Sequence, residues 1–373
     1  MDSKQEEEAK EQIKQVIAFL PGNKEERETA LGIILAYTTT RDNRRLFDYT
    51  DAIRDIMKLV QTENPSIFLA LKCLINFSED MTSVREMCKY GIVNRLYDVL
   101  KENVRQDLKN DVFDKGETTN SAKENKDARV FELVRDIKLD PTTGKIIEQD
   151  KQEQTIEMCF MLLSNVTAHE VGQKHVLGIP ETGEEKGKFE FIIAESIFGM
   201  FCYFSKNTAF DFVANIMANL ACLKEGRNFM VDHHYIEAMV VQMVTKYLNT
   251  HRRKYLIACI RNLLFEYKKY SEKFMEMNVP RDICKVLIDE QGITKDQLPE
   301  AWQLWGAKSG KAEEDIDMQN SQLLIDGLIL LANNVPLLKR MHEIDCECIL
   351  PLIRLPKTPE FEDTVLRIEV MTM

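Results

Sequence analysis

The side chains able to do chemistry are scattered along this chain and do not converge by spacing. Six histidines (His169, His175, His233, His234, His251 and His342) and nine cysteines offer nucleophiles and soft metal ligands. His342, Cys346 and Cys348 could bring three such ligands together. No fourth partner follows at the spacing a tetrahedral zinc site needs, so no metal is expected there. Gly178 and Gly183 have the separation of a phosphate loop, but Glu184 stands where a lysine is required, and a carboxylate there repels phosphate. No GxGxxG, GxSxG or HExxH occurs. Neither an enzyme nor a resident cofactor is expected. The odd cysteine count and irregular spacing give no disulfide framework, which reads as reduced, buried thiols.

What does recur is asparagine. Asn76, Asn165, Asn219 and Asn262 each close an apolar, small-residue helical segment, and Asn215 lies one helical turn before Asn219. Two readings fit: local capping of the helix end, or an amide row on a concave binding face. Asn76, Asn165, Asn215, Asn219, Arg261 and Asn262 are the candidate protein-binding residues. Armadillo proteins that grip extended basic peptides carry a Trp four residues before the Asn. Here those positions hold Lys72, Met161, Asn215 and Ala258, so that type of groove is not built.

The elements that must carry these residues form a repeat. Stretches beginning at Ala30, Ala70, Cys159, Val213, Ile257 and Leu324 each start with a small-and-aliphatic helix. A polar turn, a short helix and a further apolar helix follow. Ala36 takes the Asn position in the first stretch, 40 residues before Asn76, and 43 residues separate Asn219 from Asn262. Both intervals match the ~40–47 residues of armadillo or HEAT units. Polar, repeat-free segments at 103–150, 178–189 and 291–317 account for the longer gaps, and setting them aside leaves about 42 residues per unit. The expected fold is all-α: an armadillo/HEAT-type right-handed helical solenoid of about six or more repeats, one domain over 1–373. Residues 103–150 read as a solvated loop or as a docking element on the flank. Residues 178–189 read as a plain loop, and 291–317, with Trp302 and Trp305, as an insertion containing an ordered turn.

The 373 residues are 44% hydrophobic with only 15 Gly and 10 Pro, and the formal net charge is -12. That balance argues against nucleic acid as main ligand, because phosphate neutralisation needs excess positive charge. No signal peptide or membrane span is expected.

The later repeats resemble a particular family. Asn219–Asp232 (NLACLKEGRNFMVD), Ile260–Met275 (IRNLLFEYKKYSEKFM), the insertion with Gln297-Leu298-Pro299, and Ser321–Asn334 (SQLLIDGLILLANN) follow the order seen in the Hgh family, also called brain-protein-16-like. The chain departs from that pattern in Leu263-Leu264, where the family has a Cys pair, and in Leu338-Lys339-Arg340 near the end. The resemblance implies a cytosolic chaperone adaptor that assists folding of translation elongation factor 2, bridging it to the chaperonin with a link to the Hsp90 system. It implies stoichiometric action and a cytoplasmic location, with the nucleus as a further one; charge and hydropathy give no expectation of a nucleic-acid or membrane partner. Another armadillo adaptor, in nuclear transport, cilia or the cytoskeleton, is the competing reading.

Overall fold

The computed structural model describes residues 3–48, 50–103, 151–180, 191–203, 208–245, 250–355 and 358–370. The segment read as the 103–150 insertion lies outside them except for Asn103, as does the 178–189 loop beyond Pro180. Helices dominate. Unit one, Met1–Asn219, contains α1 (Ser3–Ile17), α2 (Lys24–Tyr37), α3 (Arg41–Arg44), α4 (Ala52–Met57), α5 (Ile67–Phe77), α6 (Met81–Lys89), α7 (Ile92–Asn103), α8 (Lys151–Thr167), α9 (Glu170–Val176), α10 (Ile192–Tyr203) and most of α11 (Asp211–Leu220). Unit two, Leu220–Met373, contains α12 (Lys224–Asp232), α13 (Tyr235–Val244), α14 (Thr250–Leu263), α15 (Tyr267–Glu276), α16 (Val279–Gln291), α17 (Met318–Ala332), α18 (Val335–Glu343), α19 (Cys346–Ile349) and α20 (Pro359–Val370). Each of the two units is compact in itself.

Long helix, short helix, third helix is the recurring order: α2-α3-α4, α5-α6-α7, α8-α9-α10, α11-α12-α13, α14-α15-α16 and α17-α18-α19. These correspond to the six stretches read from the sequence. In unit one, α2 packs on α5 and α5 on α8; in unit two, α14 packs on α17 and α16 on α17. A single triplet cannot bury its apolar face, so neighbours supply the core. Close approach needs small residues. Ala70 and Ala214 are fully buried, while Ala258 stays half-exposed. Gly172 is required: a Cβ there would sit 2.1 Å from the carbonyl oxygen of Val166. No other residue fits.

Local signals set the helix ends. Asn23 and Glu26 form a reciprocal capping box at the start of α2. Asp317 and Asn334 accept backbone N–H bonds at the starts of α17 and α18. Gly292, at φ +61°, ends α16 in the left-handed conformation, where a Cβ would also strike Lys311.

Residues 291–317 fold into short 3-10 turns at Lys295–Gln297, Glu300–Trp305 and Glu313–Asp315. Trp302 anchors them: its ring is buried and its indole N–H donates to the Ile344 carbonyl at 3.0 Å. A parallel bridge joins Thr294 to Ala307. Among the described residues, no single helix is long and apolar enough to cross a membrane.

Candidate protein-interaction face

Each recurrent asparagine sits at the C-terminal end of a long helix, and its amide reaches backwards to the preceding repeat. Asn76 Nδ2 donates to Thr38 Oγ1 at 3.1 Å and the Leu35 carbonyl at 3.4 Å. Asn165 Nδ2 donates to Ser78 Oγ at 2.9 Å. Asn219 Nδ2 donates to the Ser164 carbonyl at 3.0 Å and Thr167 Oγ1 at 3.1 Å. In unit two, Asn262 Nδ2 points at the sulfur of Cys222, 3.9 Å away, a weak contact of the same kind. Hydroxyls two residues past each Asn position (Thr38, Ser78, Thr167) therefore receive the next repeat's amide. The carboxamides fasten repeat to repeat rather than capping their own helices. A neutral bond of this sort contributes about 0.5–1.5 kcal/mol. Each of these amides thus spends at least one of its two N–H donors between repeats.

A second device closes the same helix ends, and the sequence reading gave it no role. Arg44 Nη1 donates to the Thr38 carbonyl at 2.9 Å, Gln173 Nε2 to the Thr167 carbonyl at 2.9 Å, and Arg227 Nη1 to the Ala221 and Cys222 carbonyls at 3.1 and 3.0 Å. Each of the three donors lies six residues past a carbonyl it caps, the interval by which an alignment of repeats could have found them. Both arginines also hold a carboxylate of the following repeat. Arg44 meets Asp80 at 2.6 Å and Glu79 at 2.8 Å, and Arg227 meets Glu266 at 2.9 Å.

Arg261, the charged member of the candidate set, lies on α14 beside an exposed aromatic. Phe265 is 45% exposed, with the Arg261 guanidinium 4.5 Å and that of Arg227 5.9 Å from its ring centre. Arg261 also approaches Asp326 at 3.8 Å. Arginine and aromatic groups side by side are the composition enriched at binding hot spots. In unit one, Asn215 is only 8% exposed and its Oδ1 has no hydrogen-bond partner. Asn76, Asn165 and Asn219 are half-buried on the same repeat faces.

The soft-ligand cluster does not assemble. Among the described residues, no three His, Cys, Asp or Glu side chains converge on a possible metal position. Cys346 instead faces Cys284, with 3.3 Å between sulfurs, and His342 lies 3.2 Å from Glu347. Six of the cysteines are buried, while Cys202, Cys222 and Cys348 are exposed, so burial is not general. All nine are free thiols, and burial pushes Cys73 up to about 12.

With three-helix repeats in this order, the comparison with solved structures agrees. A designed armadillo repeat protein, YIII(Dq)4CqI, superposes with a TM-score of 0.51 over 84% of this chain and 98% of its own, at 11% identity. The fold is the armadillo repeat. In sequence, residues 147–316 match a family described as a domain of unknown function, DUF383. A curated relative, "Protein HGH1 homolog" of Dictyostelium discoideum, is 22% identical over 295 residues, covering 77% of this chain and 68% of that protein. The chain is thus similar to an Hgh-type protein over most of its length, on a helical-repeat scaffold.

Proposed function

We propose that this chain is a non-catalytic, cytoplasmic protein-binding adaptor that assists folding of translation elongation factor 2, working with the cytosolic chaperonin and the Hsp90 system. The observation that carries the reading is the similarity to the Hgh-type relative across 77% of the chain, together with the repeat order Asn219–Asp232, Ile260–Met275, insertion, Ser321–Asn334. The interaction face adds physical support. The amides of Asn76, Asn165 and Asn219 each give hydrogen bonds between repeats, which weakens their two-point grip on an extended peptide backbone. Its arginine–aromatic patch at Phe265 and Arg261 suits the surface of a folded or folding domain. A pre-organised repeat surface can hold such a domain stoichiometrically and delay its aggregation.

The test is affinity capture of the tagged, full-length chain from a eukaryotic extract under gentle conditions. Co-recovery of elongation factor 2 with chaperonin subunits is expected. Recovery of neither removes the proposal.

A further inference from the structure

The 291–317 insertion in unit two is held at several points and ends in an apolar tip. Gly306 runs so close to Lys295 that a Cβ would lie 2.6 Å from its Cα. The Gln297 side-chain oxygen accepts from the Thr294 N–H at 2.9 Å, and Thr294 bridges Ala307. Trp302 is buried, with the Arg281 guanidinium 5.8 Å from its ring centre. Trp305 is half-buried, with Lys285 Nζ 4.2 Å from its ring centre. Arg281 and Lys285 stand one turn apart on the same face of α16. Lys285 is paired with Asp282 at 2.6 Å. Arg281 is not: among the described residues its side chain has no hydrogen bond or ion pair, and Glu300, at the start of the turn, does not reach it. Between the two tryptophans lies Leu304, at 82% the most exposed large apolar side chain among the described residues.

A turn tied at its base and anchored by a buried indole holds Leu304 out in water at a set position. An apolar group already fixed in place loses little freedom when a partner covers it. Tryptophan and arginine around such a group are the side chains enriched where binding energy concentrates. The charge left over at Arg281 sets the sign of what binds. A guanidinium receives a carboxylate through two parallel charge-assisted hydrogen bonds, whereas a basic segment would bring cation against cation. We propose that the Leu304–Trp305 tip and Arg281 form a docking site for an acidic, leucine-bearing segment of a partner protein. The aliphatic side chain covers Leu304 and the exposed part of Trp305, and a neighbouring carboxylate takes the Arg281 guanidinium. The proposal deepens the protein-binding reading and rests on it, naming the chemistry of one contact.

The chain contains two tryptophans, both here, so the tryptophan emission of the full-length protein reports on this site. It is titrated to millimolar concentration with the capped peptide Glu-Glu-Leu-Leu-Glu-Glu. A saturable blue shift is expected as Trp305 loses water. Capped Lys-Lys-Leu-Leu-Lys-Lys, which reverses the charge, and Glu-Glu-Ser-Ser-Glu-Glu, which removes the apolar group, should give little. Leu304→Ser should abolish the response, and Arg281→Gln should weaken it about tenfold. Both side chains reach solvent, and unchanged far-UV circular dichroism checks that each variant is folded. The inference is overturned if the acidic leucine peptide gives no shift, if either control peptide matches it, or if both variants titrate like the wild type. Because the probe is a synthetic peptide, failure to capture elongation factor 2 would count against the proposed client alone. Capture of that client with no peptide response would count against this site alone.

Discussion

Replacing Arg227 by alanine is the most informative single perturbation of the scaffold. Its side chain is 15% exposed, and Glu266, its carboxylate partner, is 12% exposed. The guanidinium closes two carbonyls at the end of α11, Ala221 and Cys222, while holding Glu266 of the next repeat. Two kinds of loss follow. Helix-end carbonyls regain water in part, costing about 1 kcal/mol between them. Glu266 is left as a largely buried, unpaired charge, for which deleting one partner costs about 3–5 kcal/mol at full burial and less at this exposure. We expect Arg227→Ala to lower unfolding free energy by about 2–4 kcal/mol in total. Adding Glu266→Gln should return about 1–2 kcal/mol, because the orphaned charge is then absent. Urea unfolding followed by far-UV circular dichroism, run as a double-mutant cycle, measures both numbers. A loss under about 0.5 kcal/mol, or a double variant no more stable than Arg227→Ala, would refute the assignment of Arg227 as a link between repeats.

Other substitutions probe other joints. Gly172→Ala should destabilise by about 2 kcal/mol or more, since the added methyl meets the Val166 carbonyl; a melting temperature equal to wild type would contradict the close approach. Asn76→Ala, Asn165→Ala and Asn219→Ala should each cost about 0.5–1.5 kcal/mol, whereas Asn215→Leu should cost less because its oxygen is already unpaired. Denaturant midpoints for the four variants separate these outcomes. The raised pKa of Glu157 means that the folded state holds this proton more tightly than the unfolded chain. Its contribution to stability is therefore present at low pH and lost as pH rises from the ordinary glutamate value through the raised one. Thermal melts of Glu157→Gln against wild type should diverge in the variant's favour as pH climbs through that window; divergence at falling pH would reverse the sign.

Much of the architecture was legible before any coordinates. Small-aliphatic helices closed by Asn76, Asn165, Asn219 and Asn262 marked the repeat, because sequence periodicity records burial directly. What the asparagines do was less legible. Whether Asn76 caps its own helix or reaches Thr38 depends on where the preceding repeat stands, which is a tertiary fact. Arg44 and Arg227 carry no signal of their role in the sequence, since nothing in a single repeat shows that each sits between a helix end and the next repeat's carboxylate. Residues 291–317 read as an interruption of the pattern, yet Trp302 gives them an anchor outside the segment, at Ile344. The candidate face was legible as a row of positions and not as a chemistry. Oxygen left unpaired at Asn215 is visible only once its neighbours are placed.

The bond from Asn165 to Ser78 spans 87 positions of sequence, yet it joins adjacent repeats just as Asn76 and Thr38 do across 38. The alignment of α8 on α5 is thus keyed in part by side chains on the helices themselves. Closure entropy grows only slowly with loop length, by about 0.6 kcal/mol per doubling. A change in the number of residues between α7 and α8 is therefore expected to leave the pairing of α8 with α5 in place.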